Sequence, residues 1–386
     1  MKNKYPRVID LVEKAIKRIP FFCSEYLFSG TGNDKVVEAN GDVFKNIFFT
    51  PKYLKGTVEP NTAQTILGLE YAAPFGVAPM GSGGLVWPGA EVALAKMCAK
   101  KKIPYCLSSV ASLSLEQISP HLQGNGWFQL YPPKDKIIRD DIIKRAMDAG
   151  YSALVVTVDI PATSRRERIK KAGVTIPPKL NVRTFIQALI KPFWAIGTLF
   201  QGMPSFGTMT KYKFFSQDEV SKNWNEMPRY IDWQYLEEIK ELWKGPIILK
   251  GILNEDDAEK ASHIVDAIYL SNHGGRQIDL VPNPLQLLPN IRKKLGEEFP
   301  IIIDSGYSSG QDIAKALALG ADFVMLGRAF MIGMAALGEK GAEHIHYILE
   351  DELSNIMEQM CCKDIAELKL EKVTVTNNFY LHTLEK

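Results

Sequence analysis

Eight short apolar runs, a helical pattern after most of them, and polar residues gathered where the runs stop predict an α/β fold, a closed TIM (β/α)8 barrel. The runs are PFGVAPM (74–80), PYCLSS (104–109), WFQLY (127–131), ALVVTVD (153–159), PIILKG (246–251), AIYLSN (267–272), PIIIDSG (300–306) and FVMLGR (323–328). They are almost continuously apolar, as strands of a parallel sheet buried on both faces are. A doubly wound open sheet is the alternative, but no GxGxxG follows the first run, and eight βα units is the barrel's number.

The elements follow in order. Residues 1–70 precede the first strand and are expected to form an N-terminal helical cap. DDIIKRAMDAG (140–150) puts Ile142, Ile143, Ala146 and Met147 on one helical face and stops at Gly150. GQDIAKALALG (310–320) repeats the pattern with Ile313, Ala316 and Leu317. Most strand-to-strand spacings suit a single βα unit. The exception runs from Asp159 to Pro246 and predicts a long insertion after strand four, residues 160–231, acting as an active-site lid. Closing helices, including HIHYILEDELSNIMEQM (344–360), follow Phe330, so 1–386 reads as one barrel domain.

Composition narrows the function. The chain is 46% hydrophobic and 23% charged, enough for a sizeable core, and its net charge of +2 gives nucleic acid no global attraction. Cys23, Cys98, Cys106, Cys361 and Cys362 are scattered without CxxC or metal-ligand spacing. The expectation is a reduced, cytoplasmic compartment and no metal site. The N-terminus intersperses charges and lacks the apolar core of a signal peptide, and no stretch predicts a spanning helix. Between Arg165 and Lys191 lie eight basic residues and one acid, followed by an uncharged stretch, PFWAIGTLFQGMPSFGTMT (192–210). That pairing suits a peripheral membrane contact through 165–210 and equally a buried lid or subunit contact.

A barrel places chemistry where its strands end. Those positions hold Ala78-Pro79-Met80-Gly81, Ser108-Ser109, Gln129 and Tyr131, Thr157 and Asp159, Lys250, Ser271 through Arg276, Asp304 to Gly306, and Gly327-Arg328. A lone polar residue at a barrel rim is usually structural, whereas polar groups at all eight ends converge on a function. Asp304-Ser305-Gly306, Gly310 opening a helix, and Gly327-Arg328 supply amides, a helix N-terminus and a cation, the makings of a phosphate site. Lys250 can stabilise negative charge developing on a ligand. Gln129 and Thr157 can read a heterocycle's edge. His273 shares the barrel's end with Asp159, whose carboxylate is expected to orient the imidazole and favour its protonated form, as a base requires. Arg276 and Arg166 are forks suited to a carboxylate.

SNHGGRQID (271–279), with FQLY (128–131), TVD (157–159), LKGI (249–252) and ALGADFVMLGRAF (318–330), resembles the FMN-dependent L-2-hydroxy acid oxidases and dehydrogenases. That family includes glycolate oxidase, lactate oxidase, respiratory L-lactate dehydrogenase and mandelate dehydrogenase. The resemblance runs from about Tyr26 to the C-terminal helices. It implies FMN as cofactor, a lactate-like L-2-hydroxy acid as substrate, the 2-keto acid as product, and a homo-oligomer, a tetramer. It implies His273 as catalytic base with Asp159 as partner. Arg276, Arg166 and Tyr26 would hold the substrate carboxylate, and Tyr131 its hydroxyl. Ala78, Pro79, Met80, Ser108, Gln129, Thr157, Lys250 and Ser271 would surround the flavin ring and ribityl chain. Asp304, Ser305, Gly306, Ser308, Gly327 and Arg328 would hold the ribityl and phosphate end.

The sequence departs from the family at four points. DSGYSSG places Ser308 where the family carries arginine, Val110 replaces an oxidase tryptophan, Met80 a common threonine, and Gly81 the alanine that oxidases tend to have. Gly81 and the uncharged segment resemble the membrane-associated dehydrogenases, implying a quinone acceptor. An oxidase that uses oxygen and releases hydrogen peroxide is the alternative. A phosphate-binding barrel isomerase, a flavin enzyme acting on a modified peptide, and an FMN-binding protein without turnover stay open, although an isomerase would not need His273, Arg276 and Arg166 together.

Overall fold

The computed structural model describes residues 1–174, 182–212 and 231–381, so the expected insertion lies partly outside the described residues. The eight expected strands all form: β1 Phe75–Val77, β2 Tyr105–Ser108, β3 Gly126–Leu130, β4 Ala153–Thr157, β5 Ile247–Ile252, β6 Ala267–Leu270, β7 Ile301–Ile303 and β8 Phe323–Leu326. Each pairs in parallel with the next, and β8 pairs with β1, closing the barrel. The strands are buried on both faces, which is why they read as unbroken apolar runs.

Two layers form the core. Inside the barrel, Ala78, Cys106, Trp127, Val155, Ile248, Tyr269, Ile302, Phe323 and Met325 pack on one another. Outside, the opposite strand faces meet the helical ring, for example Ile142 and Ala146 of the helix Lys136–Asp148 and Ile313 and Leu317 of the helix Gly310–Ala318.

The N-terminal region forms the expected helical cap and adds short strands to it. Helices Val12–Arg18, Phe21–Phe28 and Lys35–Asp42 are present, but an antiparallel hairpin, Gln64–Ile66 with Leu69–Tyr71, follows them. Ile66 and Tyr71 join the barrel-interior cluster, and Trp127 Nε1 donates to the Tyr71 hydroxyl at 3.0 Å, so the hairpin plugs one mouth. A further strand, Ile47–Phe49, pairs with Val373–Val375 near the far end of the chain. Three-residue strands leave too little alternation to be read from sequence.

The insertion leaves after β4 and holds helices Glu167–Ala172, Val182–Leu189 and Pro192–Gln201. The last two turn Thr184, Ala188, Trp194 and Thr198 inward and expose Phe193 (71%), Leu199 (82%) and Phe200 (83%), together with Phe185, Ile186, Leu189 and Ile196. So wide an apolar surface is unusual on a monomer's exterior. The pair is docked on the N-terminal helices: Phe22 N donates to Gln187 Oε1 at 3.2 Å, Lys191 Nζ to Lys17 O at 2.7 Å, and Phe22 meets Trp194 edge-on. Residues 204–209 turn back into the protein, with Phe206, Thr208 and Met209 buried and Gly207 N donating to Ala111 O at 3.1 Å. Among the described residues no helix is long and apolar enough to cross a membrane.

Candidate active site

The ends of the eight strands open into one cavity of about 700 Å³. Of the residues expected to form the site, Tyr26, Ala78, Pro79, Met80, Gln129, Tyr131, Thr157, Arg166, Lys250, His273, Arg276, Asp304, Ser305, Gly306, Ser308, Gly327 and Arg328 line it. Ser108, Asp159 and Ser271 do not; each stands behind a lining residue and orients it. Ser108 Oγ donates to Gln129 Oε1 at 2.7 Å, and Gln129 Nε2 to Thr157 Oγ1 at 2.9 Å, a row linking the ends of β2, β3 and β4. Ser271 Oγ accepts from Lys250 Nζ at 2.7 Å and from His273 N at 3.0 Å.

His273 sits at a positive φ of 56° just past β6, a conformation the following Gly274 and Gly275 share. Its Nδ1 lies 3.1 Å and 3.2 Å from the two Asp159 oxygens. With Nδ1–H donated to that carboxylate, Nε2 presents its lone pair to the cavity, where the Tyr131 hydroxyl stands 3.2 Å away and the two rings stack. Asp159 orients the imidazole and favours its protonated form, as expected, but burial outweighs it. Burial lowers the His273 pKa more than Asp159 raises it, and Lys250 and Arg166 lower it further, so the imidazole rests neutral. Burial pushes Asp159 upward, but His273 and Lys250 outweigh it and hold the carboxyl below its ordinary range. A neutral imidazole beside an ionised carboxylate is a base ready to accept a proton.

Gly251 explains how Asp159 reaches this place. It sits at φ 106° in the irregular register between Lys250 and Ile252, and a Cβ there would come within 2.6 Å of Asp159 Cβ. The signature segment divides its work. His273 and Arg276 face the cavity, while Asn272 exchanges hydrogen bonds with Asn40 and Asp279 accepts from Asn33 N and Val36 N. These last contacts pin the N-terminal helices over the barrel. They carry in Tyr26, whose hydroxyl donates to Gly81 O at 2.7 Å and whose ring lies 5.2 Å from the Arg276 guanidinium.

The cations are poised for anions. Arg276 donates to the carbonyls of Tyr26 and Leu27, Arg166 Nε to Ser164 Oγ, and Arg328 to the carbonyls of Leu27, Ser29 and Gly274. Among the described residues none of the three forms an ion pair. Burial, with Arg276 nearby, pushes the Arg328 pKa down to about 9, the mark of a positive charge short of counter-charge. Ser308 offers no second cation: its N and Oγ both donate to Asp312 Oδ2, at 3.0 Å and 3.3 Å. Gly306, at φ 100°, lies so close to Asn40 O that no Cβ fits, which sets the loop's path beside Arg328.

Sequence reasoning missed several contributors. Val86, Ile160, Ile169 and Phe206 join Val110, already singled out in the sequence, in giving the cavity an apolar wall. Buried Glu91 accepts from Gly83 N, Ser112 N and Leu113 N, tying together the segments that follow β1 and β2. Neither could have been found from the strand ends, because they come from helices and from the insertion.

A parallel barrel with a buried imidazole–carboxylate pair and three arginines facing one cavity at its strand ends has the form of a barrel enzyme. A profile of the family described as FMN-dependent dehydrogenase matches residues 15–375, and the chain belongs to that family. It is 32% identical to (S)-mandelate dehydrogenase of Pseudomonas putida over 366 residues, covering 94% of this chain and 92% of that one. It is 35% identical to L-lactate dehydrogenase of Caulobacter sp. (strain K31) over 353 residues, 89% and 92% of the two chains. Among solved structures, the monotopic membrane protein (S)-mandelate dehydrogenase superposes with a TM-score of 0.89 at 32% identity, over 94% of this chain and 97% of that one. A mandelate oxidase with benzoyl-formic acid gives 0.82 at 27% identity, over 96% and 99%. FMN is therefore the cofactor, and the residues fit it: Arg328 is a cation awaiting an anion, and Lys250 is a buried ammonium at the cavity floor.

Proposed function

We propose that the protein oxidises a small L-2-hydroxy acid, lactate- or mandelate-like, to the 2-keto acid and passes the electrons to a quinone. The observation that carries this reading is the neutral His273 imidazole, held by Asp159 and facing the same cavity as Tyr131, Arg166 and Arg276. The oxidation removes two electrons and two protons from the substrate, its C–H and O–H hydrogens. FMN supplies the two-electron acceptor. Arg276 and Arg166 bind the carboxylate, each able to offer a planar pair of donors. Tyr131 and His273 Nε2 meet the substrate's hydroxyl end, and His273 accepts a proton while Asp159 stabilises the imidazolium that results. The apolar wall of Val86, Val110, Ile160 and Phe206 receives the substrate side chain and keeps bulk water from the base.

Lys250 and the Ser108–Gln129–Thr157 row would hold the flavin ring, and Asp304, Ser305, Gly306, Ser308, Gly327 and Arg328 the ribityl and phosphate end. The exposed apolar helices Val182–Leu189 and Pro192–Gln201, flanked by Lys17, Arg183 and Lys191, support a peripheral seat on an anionic membrane, where a quinone is met. The similar (S)-mandelate dehydrogenase structure is described as monotopic. That seat faces the cytoplasm in this reading, and the enzyme is a homo-oligomer.

The test is to add 2-hydroxy acids one at a time to flavin-loaded protein without oxygen and follow flavin bleaching. Reoxidation by a soluble quinone is then compared with reoxidation in air. No bleaching by any L-2-hydroxy acid overturns the substrate class. Fast reoxidation in air with stoichiometric peroxide replaces the quinone with oxygen.

A further inference from the structure

Tyr269 and Tyr71 bring phenols into a mostly apolar barrel interior. Tyr269 lies on β6, fully buried in the layer that holds Ile248, Ile302 and Met325. A tyrosine hydroxyl buried there is costly unless it is bonded. Its partner is Asp304: the phenol donates to Asp304 Oδ2 at 2.8 Å. Burial, with Asp304 beside it, pushes the phenol well above its ordinary pKa, so it stays a donor.

The same carboxylate oxygen has a second neighbour. Lys250 Nζ lies 3.1 Å from Asp304 Oδ2, and the ammonium also sits 4.6 Å from the centroid of the Tyr269 ring. Asp304 Oδ1 accepts from Ser305 Oγ at 2.8 Å. One oxygen is thus shared between a phenol and an ammonium. In a site this dry, a carboxylate so close to Lys250 cancels much of its field. A phenol donating to that oxygen takes up part of the carboxylate charge and leaves more of the lysine's charge uncompensated.

We propose that Tyr269 is a positioning residue that acts through Asp304 on Lys250 and thereby raises the electron affinity of the bound flavin. The inference rests on the seat of the flavin ring beside Lys250 proposed above. Two-electron reduction with uptake of one proton leaves a negative charge on the ring, and an uncompensated ammonium stabilises that charge. Removing the phenol hydrogen bond gives the oxygen back its full charge, draws Lys250 toward Asp304, and weakens the stabilisation.

The experiment uses flavin-loaded enzyme and Tyr269→Phe, which keeps the ring and its cation–π contact but removes the hydroxyl. Two quantities are read: the midpoint potential of the flavin, and the dissociation constant for sulfite, which adds to oxidised flavin and leaves negative charge on it. Sulfite should bind about tenfold more weakly, and the potential should fall by the corresponding ~30 mV for a two-electron couple. Tyr71→Phe, which removes another barrel-interior phenol, should change neither. Lys250→Met tests the seat itself and should weaken sulfite binding more than Tyr269→Phe does. If Lys250→Met acts and Tyr269→Phe stays within twofold of wild type, or Tyr71→Phe matches it, the inference falls and the seat stands. If Lys250→Met changes neither quantity, the seat falls and the inference with it. Should Tyr269→Phe fail to hold flavin, 3-fluorotyrosine placed at position 269 alone, a stronger donor, must raise the potential; a fall or no change overturns the inference.

Discussion

His273 Nδ1 and the Asp159 carboxylate meet at 3.1 Å and 3.2 Å although 114 residues separate them. The pair sets both the tautomer and the resting charge of the base, and it yields a pH prediction with a definite sign. Because burial lowers the His273 pKa from 6.5, the neutral form persists into mild acid. The rate of flavin reduction should therefore be flat through neutrality and fall on the acid side with a midpoint below 6.5. Asp159→Asn removes the group that raises the imidazole pKa, so its midpoint should move lower still while the rate drops. Stopped-flow reduction across pH checks both, and a midpoint above that of free histidine would show that burial does not dominate at His273.

His273→Gln should retain flavin and lose its reduction. The expected loss is about 10²–10⁴-fold, the range of a general base. Bleaching at near wild-type rate would remove His273 from the mechanism.

Arg276→Lys keeps a positive charge and loses the fork. One charge-assisted hydrogen bond is worth roughly 1.5–3 kcal/mol, so KM should rise about ten- to hundredfold with a smaller effect on kcat. Steady-state kinetics separate the two, and a fall confined to kcat would place the carboxylate elsewhere.

Ser308→Arg should slow flavin release. The added guanidinium would be shared between the phosphate, if it is held at this loop, and the half-buried Asp312, whose carboxyl is pushed up by desolvation. A new contact to the phosphate contributes roughly 1.5–3 kcal/mol, hence about ten- to hundredfold slower release. Recovery of flavin fluorescence on dilution measures it, and unchanged release would show that Asp312 captures the new arginine.

Replacing Phe193, Leu199 and Phe200 with serine should abolish sedimentation with anionic vesicles and leave flavin binding intact. Each such side chain contributes about 1.5–3 kcal/mol on full burial, more than the ~1 kcal/mol of a basic residue at an anionic surface. All three point away from the protein, whereas Trp194, Phe206 and Met209 are buried against it. Excising the whole of 191–211 would therefore unpack the barrel's rim as well as remove the surface. Vesicle binding that survives the triple change would assign the exposed helices to a contact with another copy.

The barrel and most of the site were legible because both rest on local patterns. A strand buried on two faces must be apolar throughout, and the polar residue that ends it stands out, so β1 to β8 and residues such as Lys250, His273 and Asp304 could be read directly. Contacts between distant parts of the chain were not legible. The Gln64–Ile66 hairpin and the pairing of Ile47–Phe49 with Val373–Val375 rest on partners, not on three-residue patterns. The inward face of Tyr269 and its bond to Asp304 could not be told from an apolar run in which every position is buried. The pull of Asp159 on His273 was legible, but the resting charge of the imidazole was not, because the sequence displays the carboxylate and not the depth of burial that outweighs it. Sequence by itself determined which groups stand at the mouth of the barrel. Tertiary structure decided which of them touch, and how dry they are, because desolvation and long-range pairing exist only once the chain has closed.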